Sequence, residues 1–394
     1  MKRTHGWISG ILLGAFLVAN APAQIIYSFE TEDLHGFANS AGDGWQVFRA
    51  QIGVTHGDYS MGVQWPSGSG GFRWLFGNGA RDELLPYLQI SKKLLMDATV
   101  PAGVSVPWAN MAVSLNGPSP YGWNQAVGAV GLPRQQGTRT ILIDLESLPL
   151  PDPNVDWFQI NFGLNAGGAH EIYFDSLRLY RPACEMMAFT FDNDLQGFNI
   201  GTNQVGITLS WVDGKMRAQS TGGFKWLFNG GEDGSVPNLA AMVRRGYLVV
   251  MDVTVVSAPP AGWGNMIMSI NSPAGWGQSD YTAEIASGPN TFTRTIALDY
   301  RGVALPGDDN PEYCLLNLGI NSGGPMTIDI DNIRIYRLPV EGDVNCDGCV
   351  DDADLLSVLF DFGSTAITAS DVNNDGVVDD ADLLMVLFNF GSGC

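Results

Sequence analysis

The last 54 residues of the chain carry one acidic twelve-residue loop written twice, 28 positions apart. The first copy, Asp343 to Asp354, reads DVNCDGCVDDAD, and the second, Asp371 to Asp382, reads DVNNDGVVDDAD. Oxygen-bearing side chains stand at loop positions 1, 3, 5, 9 and 12 of both copies: Asp343, Asn345, Asp347, Asp351 and Asp354, then Asp371, Asn373, Asp375, Asp379 and Asp382. Position 6 is Gly348 or Gly376, where the chain must turn sharply. The backbone carbonyl of position 7, Cys349 or Val377, is free to complete a ligand shell. A hard cation with 6–8 oxygen ligands requires this arrangement, and Ca²⁺ is its usual occupant. A merely solvated acidic loop would not repeat the ligand spacing.

A nearly identical apolar stretch follows each loop, LLSVLFDFGS from Leu355 and LLMVLFNFGS from Leu383. Helices that are apolar on every side must be buried, and each is expected to pack on its twin. Together these residues resemble a type I dockerin over the whole of Glu341 to Cys394, with Asp at loop position 12 where an ordinary EF-hand has Glu. The resemblance implies docking onto a cohesin module of a scaffold or cell-surface partner, in assemblies that mostly degrade polysaccharides. Dockerins often carry Ser or Thr at loop positions 10 and 11, where they meet cohesin. Here those positions are Asp352-Ala353 and Asp380-Ala381. The calcium role carries over; the identity of the partner does not.

The other end of the chain has Lys2 and Arg3, an apolar run from Ile8 to Val18, and small residues at Ala19, Ala21 and Ala23. That is the pattern of a secretory signal peptide over residues 1–23. The run falls short of the ~20 apolar residues a membrane span needs, so a secreted, extracellular protein with no transmembrane anchor is expected, attached to a cell surface only through a partner. Twelve acids and no bases fall in residues 341–394, which accounts for more than half of the net charge of −21. The remainder has no basic stripe, so no nucleic-acid partner is expected. Five cysteines, Cys184, Cys314, Cys346, Cys349 and Cys394, are an odd number for an oxidising compartment. The Cys346/Cys349 pair lacks the second pair or nearby His of a zinc site. A disulfide from one of the two to Cys394 would tie the C-terminus to the first loop.

Residues 24–340 repeat themselves with a period of roughly 155 residues. SGGFRWLF (Ser69 to Phe76) is echoed by TGGFKWLF (Thr221 to Phe228), and WANMAVSLNGP from Trp108 by WGNMIMSINSP from Trp263. TRTILIDL from Thr138 matches TRTIALDY from Thr293, and FDSLRLYR from Phe174 matches IDNIRIYR from Ile330. Two copies of one domain, 24–183 and 184–340, follow. Alternating apolar residues between Gly, Pro and Asn breaks read as short antiparallel strands. Ile172, Phe174, Leu177 and Leu179 are expected to face a core, as are Ile328, Ile330, Ile333 and Ile335. No sustained helical period is visible within the repeats. The expected fold class is mainly β: two tandem jelly-roll β-sandwiches followed by a small α-helical tail.

The copies open on IIYSFETEDLHGF and AFTFDNDLQGF and close on FDSLRLYR and IDNIRIYR. This bracketing resembles galactose-binding-like jelly rolls among carbohydrate-binding modules. The resemblance implies a structural calcium shared by an acid after the first strand and an Asp in the last: Glu30 with Asp175, and Asp192 with Asp331. Sugars stack their C–H faces on flat aromatic rings, so exposed Trp or Tyr with polar neighbours mark a candidate site. Trp123 with Tyr121, and Trp276, sit in breaker-rich segments, and Trp108 and Trp263 sit at loop–strand junctions. Trp74, which recurs as Trp226, lies inside an apolar strand and is read as core. Asn161 and Asn165, repeated as Asn317 and Asn321, fall on the polar side of a strand. Of the acids common to both copies, Asp97/Asp252 and Asp144/Asp299 stand within strand-like runs, and no close carboxylate pair of the kind a glycosidase needs can be singled out. The sequence thus points to a polysaccharide-binding protein that docks through its tail. Two alternatives stay open: a dockerin-tethered glycoside hydrolase or polysaccharide lyase on a jelly-roll scaffold, and a structural or adhesive surface protein.

Overall fold

Strand alternation gives each repeat two sheets, one apolar face of each turned inward. The computed structural model describes residues 25–39, 44–65, 72–202, 204–288 and 290–394. The expected signal peptide lies outside the described residues, as do Ser69 to Gly71 of the first repeat block. The first repeat contains β1 (Ile25–Tyr27), β2 (Phe37–Asn39), β3 (Gln46–Ala50), β4 (Ser60–Trp65), β5 (Arg73–Gly77) and β6 (Lys93–Ser105). It continues with β7 (Ala109–Gly117), β8 (Gly122–Gln125), β9 (Val130–Gly131), β10 (Gln135–Asp144), β11 (Gln159–Ala166) and β12 (His170–Leu179). The second repeat runs through β13 (Glu185–Phe189), β14 (Ile207–Val212), β15 (Lys215–Ser220), β16 (Gly223–Gly230), β17 (Gly246–Ser257) and β18 (Trp263–Ser272). β19 (Gly275–Gln278), β20 (Ala283–Ser287), β21 (Phe292–Asp299), β22 (Leu315–Ser322) and β23 (Met326–Arg337) complete it.

Sheet I has the order β10-β6-β12-β4-β3, with β1 also on β12; sheet II has β2-β5-β11-β7-β8, with β9 also on β7. Sheet III, β14-β15-β23-β17-β21 with β13 on β23, and sheet IV, β16-β22-β18-β19 with β20 on β18, repeat the plan. The chain is therefore mainly β, two β-sandwiches in tandem. All eight residues expected to face the cores of the closing strands do so and are buried. Their spacing skips between Phe174 and Leu177 because a bulge interrupts the ladder there, with Ser176 in the left-handed region at φ 51°. Asn332, at φ 48°, repeats the device. Helix does occur within the repeats: α1 (Ala80–Glu83) and α2 (Leu85–Leu88) in the first and α3 (Leu239–Arg245) in the second. Each is too short for a 3.6-residue period to register in the sequence.

The sandwiches meet through sheets I and III. Their edge strands β10 and β21 exchange aspartates: Thr140 N–H donates to Asp299 Oδ2 at 2.7 Å, and Thr295 N–H donates to Asp144 Oδ2 at 2.7 Å. The four residues occupy equivalent repeat positions, so the exchange is reciprocal, as in a two-fold interface. Behind it Leu95, Leu142 and Tyr180, on the outer face of sheet I, form one buried cluster with Leu248, Val250, Ala297 and Tyr336 of sheet III. Tyr180 and Tyr336 stack at 4.8 Å. Parts of the outer faces of sheets I and III are thus packed on each other, and sheets II and IV meet beside them, where the Tyr281 hydroxyl next to β20 donates to the Gly131 carbonyl of β9 at 2.8 Å.

The tail closes this junction. Its helices α4 (Asp352–Asp361) and α5 (Asp380–Phe388) bury Val358 and Val386 in a small core with Val344, Val350, Val372 and Val378. A Cys184–Cys346 disulfide and a bond from the Arg181 guanidinium to the Val344 carbonyl fasten it to the segment between the sandwiches. Ile25 N–H donates to Asn374 Oδ1 at 3.2 Å, adding a contact to the first strand. Cys349 pairs with Cys394, and Cys314 is free. The tie from the first loop to the C-terminus is therefore made by Cys349, whereas the bond to Cys184, 162 residues away, has no signature in local spacing. Among the described residues no helix is long and apolar enough to cross a membrane. Peptide mapping without reduction should recover the 184–346 and 349–394 pairs and one alkylatable thiol, on Cys314. A 346–349 bridge would contradict this arrangement.

Candidate functional site: a duplicated aromatic face

The outer face of sheet II follows from strand register. In β5, Leu75 is fully buried in the core, so Phe72, Trp74 and Phe76 alternate to the outside, half-exposed. This corrects the reading of Trp74 as core: alternation sets Phe72, Trp74 and Phe76 against Arg73 and Leu75, yet it is the Leu75 side that turns inward. Opposite Trp74 lies Gly163 of β11. A Cβ built there would meet three carbons of the Trp74 indole at 3.1 Å each, so the ring lies face-down over the glycine. Gly163 in turn faces Ala112 of β7. Two small residues leave the indole flat against the sheet.

Trp123 of β8 is opposite Asn116 and therefore on the same side. It is 43% exposed and stands at 84° to the Trp74 ring, with centroids 4.7 Å apart. One indole forms a floor and the other a wall. Asn110, Asn116 and Asn165 share the face by register and are partly exposed, so these asparagines and the tryptophans belong to one surface; Asn161 lies on the same side but is fully buried. Asn161 Nδ2 donates to Ser114 Oγ at 3.2 Å, which fixes it within the sheet.

The second repeat builds the same surface on sheet IV. Leu227 is buried while Phe224, Trp226 and Phe228 turn outward. Trp276, 45% exposed and opposite Asn271, stands at 87° to Trp226 at 5.1 Å. Asn265 and Asn321 occupy the equivalent partly exposed positions, while Asn317 is buried and its Nδ2 donates to Ser269 Oγ at 3.2 Å. Gln204 brackets the platform strand, accepting from Trp226 N–H at 2.8 Å and donating to its carbonyl at 2.6 Å. One difference is local. Ile267 replaces Ala112, and Phe224 rather than the indole covers the glycine, Gly319.

Trp108 and Trp263 lie on the same two faces by parity, at the far ends of β7 and β18, leaning over Gly167 and Gly323. They are 42% and 41% exposed. The eight residue steps from Trp108 to Asn116 span about 27 Å at strand rise. Tyr121 takes no part in the face. Its hydroxyl donates to the Pro149 carbonyl at 2.9 Å, its ring packs towards Phe158, and burial pushes its pKa up to about 12.

The acids common to both copies are engaged within the scaffold. Asp97 accepts from Thr140 Oγ1 at 2.5 Å and pairs with Arg178 at 3.3 Å; Asp252 accepts from Thr295 Oγ1 at 2.8 Å and pairs with Arg334 at 2.9 Å. Burial disfavours the Asp97 charge, but Arg178 and Arg301 outweigh it and hold the carboxyl below its ordinary range. Glu30 Oε1 accepts from Asp58 N–H and Tyr59 N–H, while Asp175 Oδ2 accepts from Thr55 N–H and His56 N–H. The two thus grip one loop, and burial pushes Asp175 up to about 7. Asp331 is raised by burial, with Asp252 and Asp192 adding like charge.

In the tail, the two acidic loops fold with the same internal bonds. Gly348 N–H donates to Asp343 Oδ2 and Gly376 N–H to Asp371 Oδ2, both at 3.0 Å. Asn345 N–H donates to Asp354 Oδ1 and Asn373 N–H to Asp382 Oδ1, again at 3.0 Å. These bonds tie positions 1, 3, 5 and 12 into each loop, but among the described residues no group of three or more acidic, His or Cys side chains is drawn together closely enough to hold a metal ion. Burial, then the charges of Asp354 and Asp347, push Asp343 up to about 6. Positions 9 and 12 also cap the helices: Asp351 and Asp379 accept from Ala353 and Ala381 N–H, and Asp354 and Asp382 complete capping boxes. The expectation that each helix is buried on its twin holds only for one line of residues. Phe360 and Phe388 are each 83% exposed, and Leu356, Leu359, Leu384 and Leu387 are about half-exposed.

No family model matches the chain, and no curated protein does. Among solved structures it is similar to the N-terminal CBM22-1–CBM22-2 tandem domain of Paenibacillus barcinonensis Xyn10C, at 10% identity and a TM-score of 0.27, over 81% of this chain and 98% of that one. A family 11 carbohydrate-binding module of the Clostridium thermocellum cellulosomal cellulase Lic26A-Cel5E aligns at 13% identity and a TM-score of 0.26, over 39% and 91%. CBM28, a module specific for non-crystalline cellulose, aligns at 11% identity and a TM-score of 0.28, over 41% and 98%.

Because Trp123 and Trp276 are exposed, replacing either with Ala should lower stability by less than about 1 kcal/mol. Truncating the buried Phe174 should cost about 3–5 kcal/mol. Urea denaturation of the three variants checks this; a large loss in a Trp variant would place that ring in the core.

Proposed function

We propose that the protein binds polysaccharide on the aromatic faces of sheets II and IV and attaches through its tail to a cohesin-bearing partner. The observation that carries the first half is the perpendicular Trp74/Trp123 pair on a sheet face lined with asparagine, repeated by Trp226/Trp276. An indole held flat offers a sugar ring its π-face, a second indole at right angles bounds it, and side-chain amides supply both donors and acceptors to hydroxyls. A face about 27 Å long fits a run of sugar units better than a single one. Affinity electrophoresis in gels containing xylan, mixed-linked β-glucan or mannan tests the reading. The intact protein should be retarded by at least one of them, and a variant with Ala at Trp74, Trp123, Trp226 and Trp276 by none. Equal retardation of the two would refute it.

The second half rests on the tail. Two oxygen-lined loops with position 1 carboxyls raised by burial and by like charge are suited to a divalent cation with oxygen ligands, which would relieve that repulsion. Asp343, Asn345, Asp347, Asp351, Asp354 and the Cys349 carbonyl would hold one ion; Asp371, Asn373, Asp375, Asp379, Asp382 and the Val377 carbonyl would hold the other. The Glu30/Asp175 and Asp192/Asp331 pairs are offered as structural calcium sites of the sandwiches. With calcium in place, the exposed Leu and Phe residues of α4 and α5 form a doubled apolar surface for a cohesin. Two disulfides favour an oxidising, extracellular setting. Calorimetric titration of the chelator-treated protein should show calcium sites in the tail, one lost on replacing Asp343 and Asp354 with Ala and another on replacing Asp371 and Asp382. An unchanged isotherm in either double variant would count against that loop.

A further inference from the structure

The two aromatic faces share a plan but differ at one position of the floor. On sheet II the residue beside Gly163 on the outer side is Ala112, and the three atoms nearest to a Cβ built on Gly163 are carbons of the Trp74 indole, each at 3.1 Å. On sheet IV the residue beside Gly319 is Ile267. The nearest atoms there are Ile267 Cγ2 at 2.6 Å and Phe224 Cζ and Cε2 at 2.8 and 3.1 Å. Trp226 is the cross-strand partner of Gly319 just as Trp74 is of Gly163, yet no atom of its ring is among the three. A β-branched side chain has little χ1 freedom and cannot fold away. The Ile267 methyl therefore occupies the place over the glycine that Ala112 leaves to an indole. The surrounding rings differ to match. Trp226 is perpendicular to two rings, Phe224 at 84° and 5.2 Å and Trp276 at 87° and 5.1 Å. Trp74 crosses Trp123 at 84°, while Phe72 is inclined to it by 46° at 6.3 Å.

Stacking of a sugar's C–H face on an aromatic ring gains with the apolar area covered. The fused rings of an indole lying on Gly163 give the sheet II face a broad floor. On the sheet IV face the ring that reaches the glycine is a phenyl, and the indole beside it is crossed by two others. We infer that Ala112 and its counterpart Ile267 set how each face takes a glycan: Ala112 leaves the sheet II face an open indole floor, whereas Ile267 narrows the sheet IV face, which grips the same chains more weakly. This rests on the polysaccharide-binding reading given above, and adds the residue that ranks the two faces.

Affinity electrophoresis of the full chain with one face silenced at a time tests this, in gels of whichever of xylan, mixed-linked β-glucan and mannan retards the intact protein most. The variant carrying Trp226→Ala with Trp276→Ala keeps only the sheet II face. It should bind about tenfold more tightly than the variant carrying Trp74→Ala with Trp123→Ala, which keeps only the sheet IV face. Adding Ala112→Ile to the first should lower its affinity by a similar factor, and adding Ile267→Ala to the second should raise it. Circular dichroism checks the fold of each variant. Where Ala112→Ile misfolds, Ile267→Ala, which only removes atoms, decides alone. Equal affinity of the two one-faced variants, or no response to either substitution, would overturn the role of Ala112 and Ile267 while the intact protein still binds. Absence of binding by the intact protein to all three glycans would instead overturn the polysaccharide reading, and this ranking with it.

Discussion

The reciprocal capping of β10 and β21 is the contact on which the rest of the molecule depends. An edge strand exposes unpaired N–H groups and invites association with other chains. Here each edge offers a threonine N–H to the other repeat's aspartate, at 2.7 Å in both directions. Asp299 is fully buried, and Arg301 balances its charge. The Arg178–Asp97 pair next to it is also buried, and a pair of that kind contributes more to choosing one arrangement than to net stability. Such contacts select a single docking of the two sandwiches. From that docking come the burial of part of the outer faces of sheets I and III and the seat for the tail.

Much of the fold was legible because burial imposes a period of two. Ile172, Phe174, Leu177 and Leu179 could be placed in the core from spacing alone, bulge included. The aromatic platforms were not legible for the same physical reason. In FRWLF and FKWLF alternation puts three aromatic rings on one face and Arg73 or Lys225 on the other, so it favours the aromatic face as core; the outcome is the reverse because Gly163 and Gly319 on the neighbouring strands leave room for rings outside. Asp144 and Asp299 looked like unassigned acids because each has its partner in the other repeat, more than 150 residues away. Cys184–Cys346 was hidden likewise.

The tail shows a similar division. Its two loops share one set of internal hydrogen bonds, as their repeated sequence leads one to expect. Its helices were expected to bury themselves on each other, but ten-residue and nine-residue helices have room to share only one stripe. Val358 and Val386 take it, and Phe360 and Phe388 are left outside in duplicate. The proposed cohesin contact would cover that surface. It lies on a tail already fixed to the sandwich junction, so a partner bound there would hold both aromatic faces at set distances from its own surface.

The most direct test of this account is an indole N–H spectrum of the ¹⁵N-tryptophan-labelled protein, recorded while a soluble mixed-linked gluco-oligosaccharide or xylo-oligosaccharide is added. The account predicts that resonances of Trp74, Trp123, Trp226 and Trp276 move with increasing ligand, while those of Trp45 and Trp65, 5% and 4% exposed in the first core, stay in place. Movement confined to other tryptophans, or none with any oligosaccharide that binds, would contradict the assignment of the aromatic faces as the glycan site.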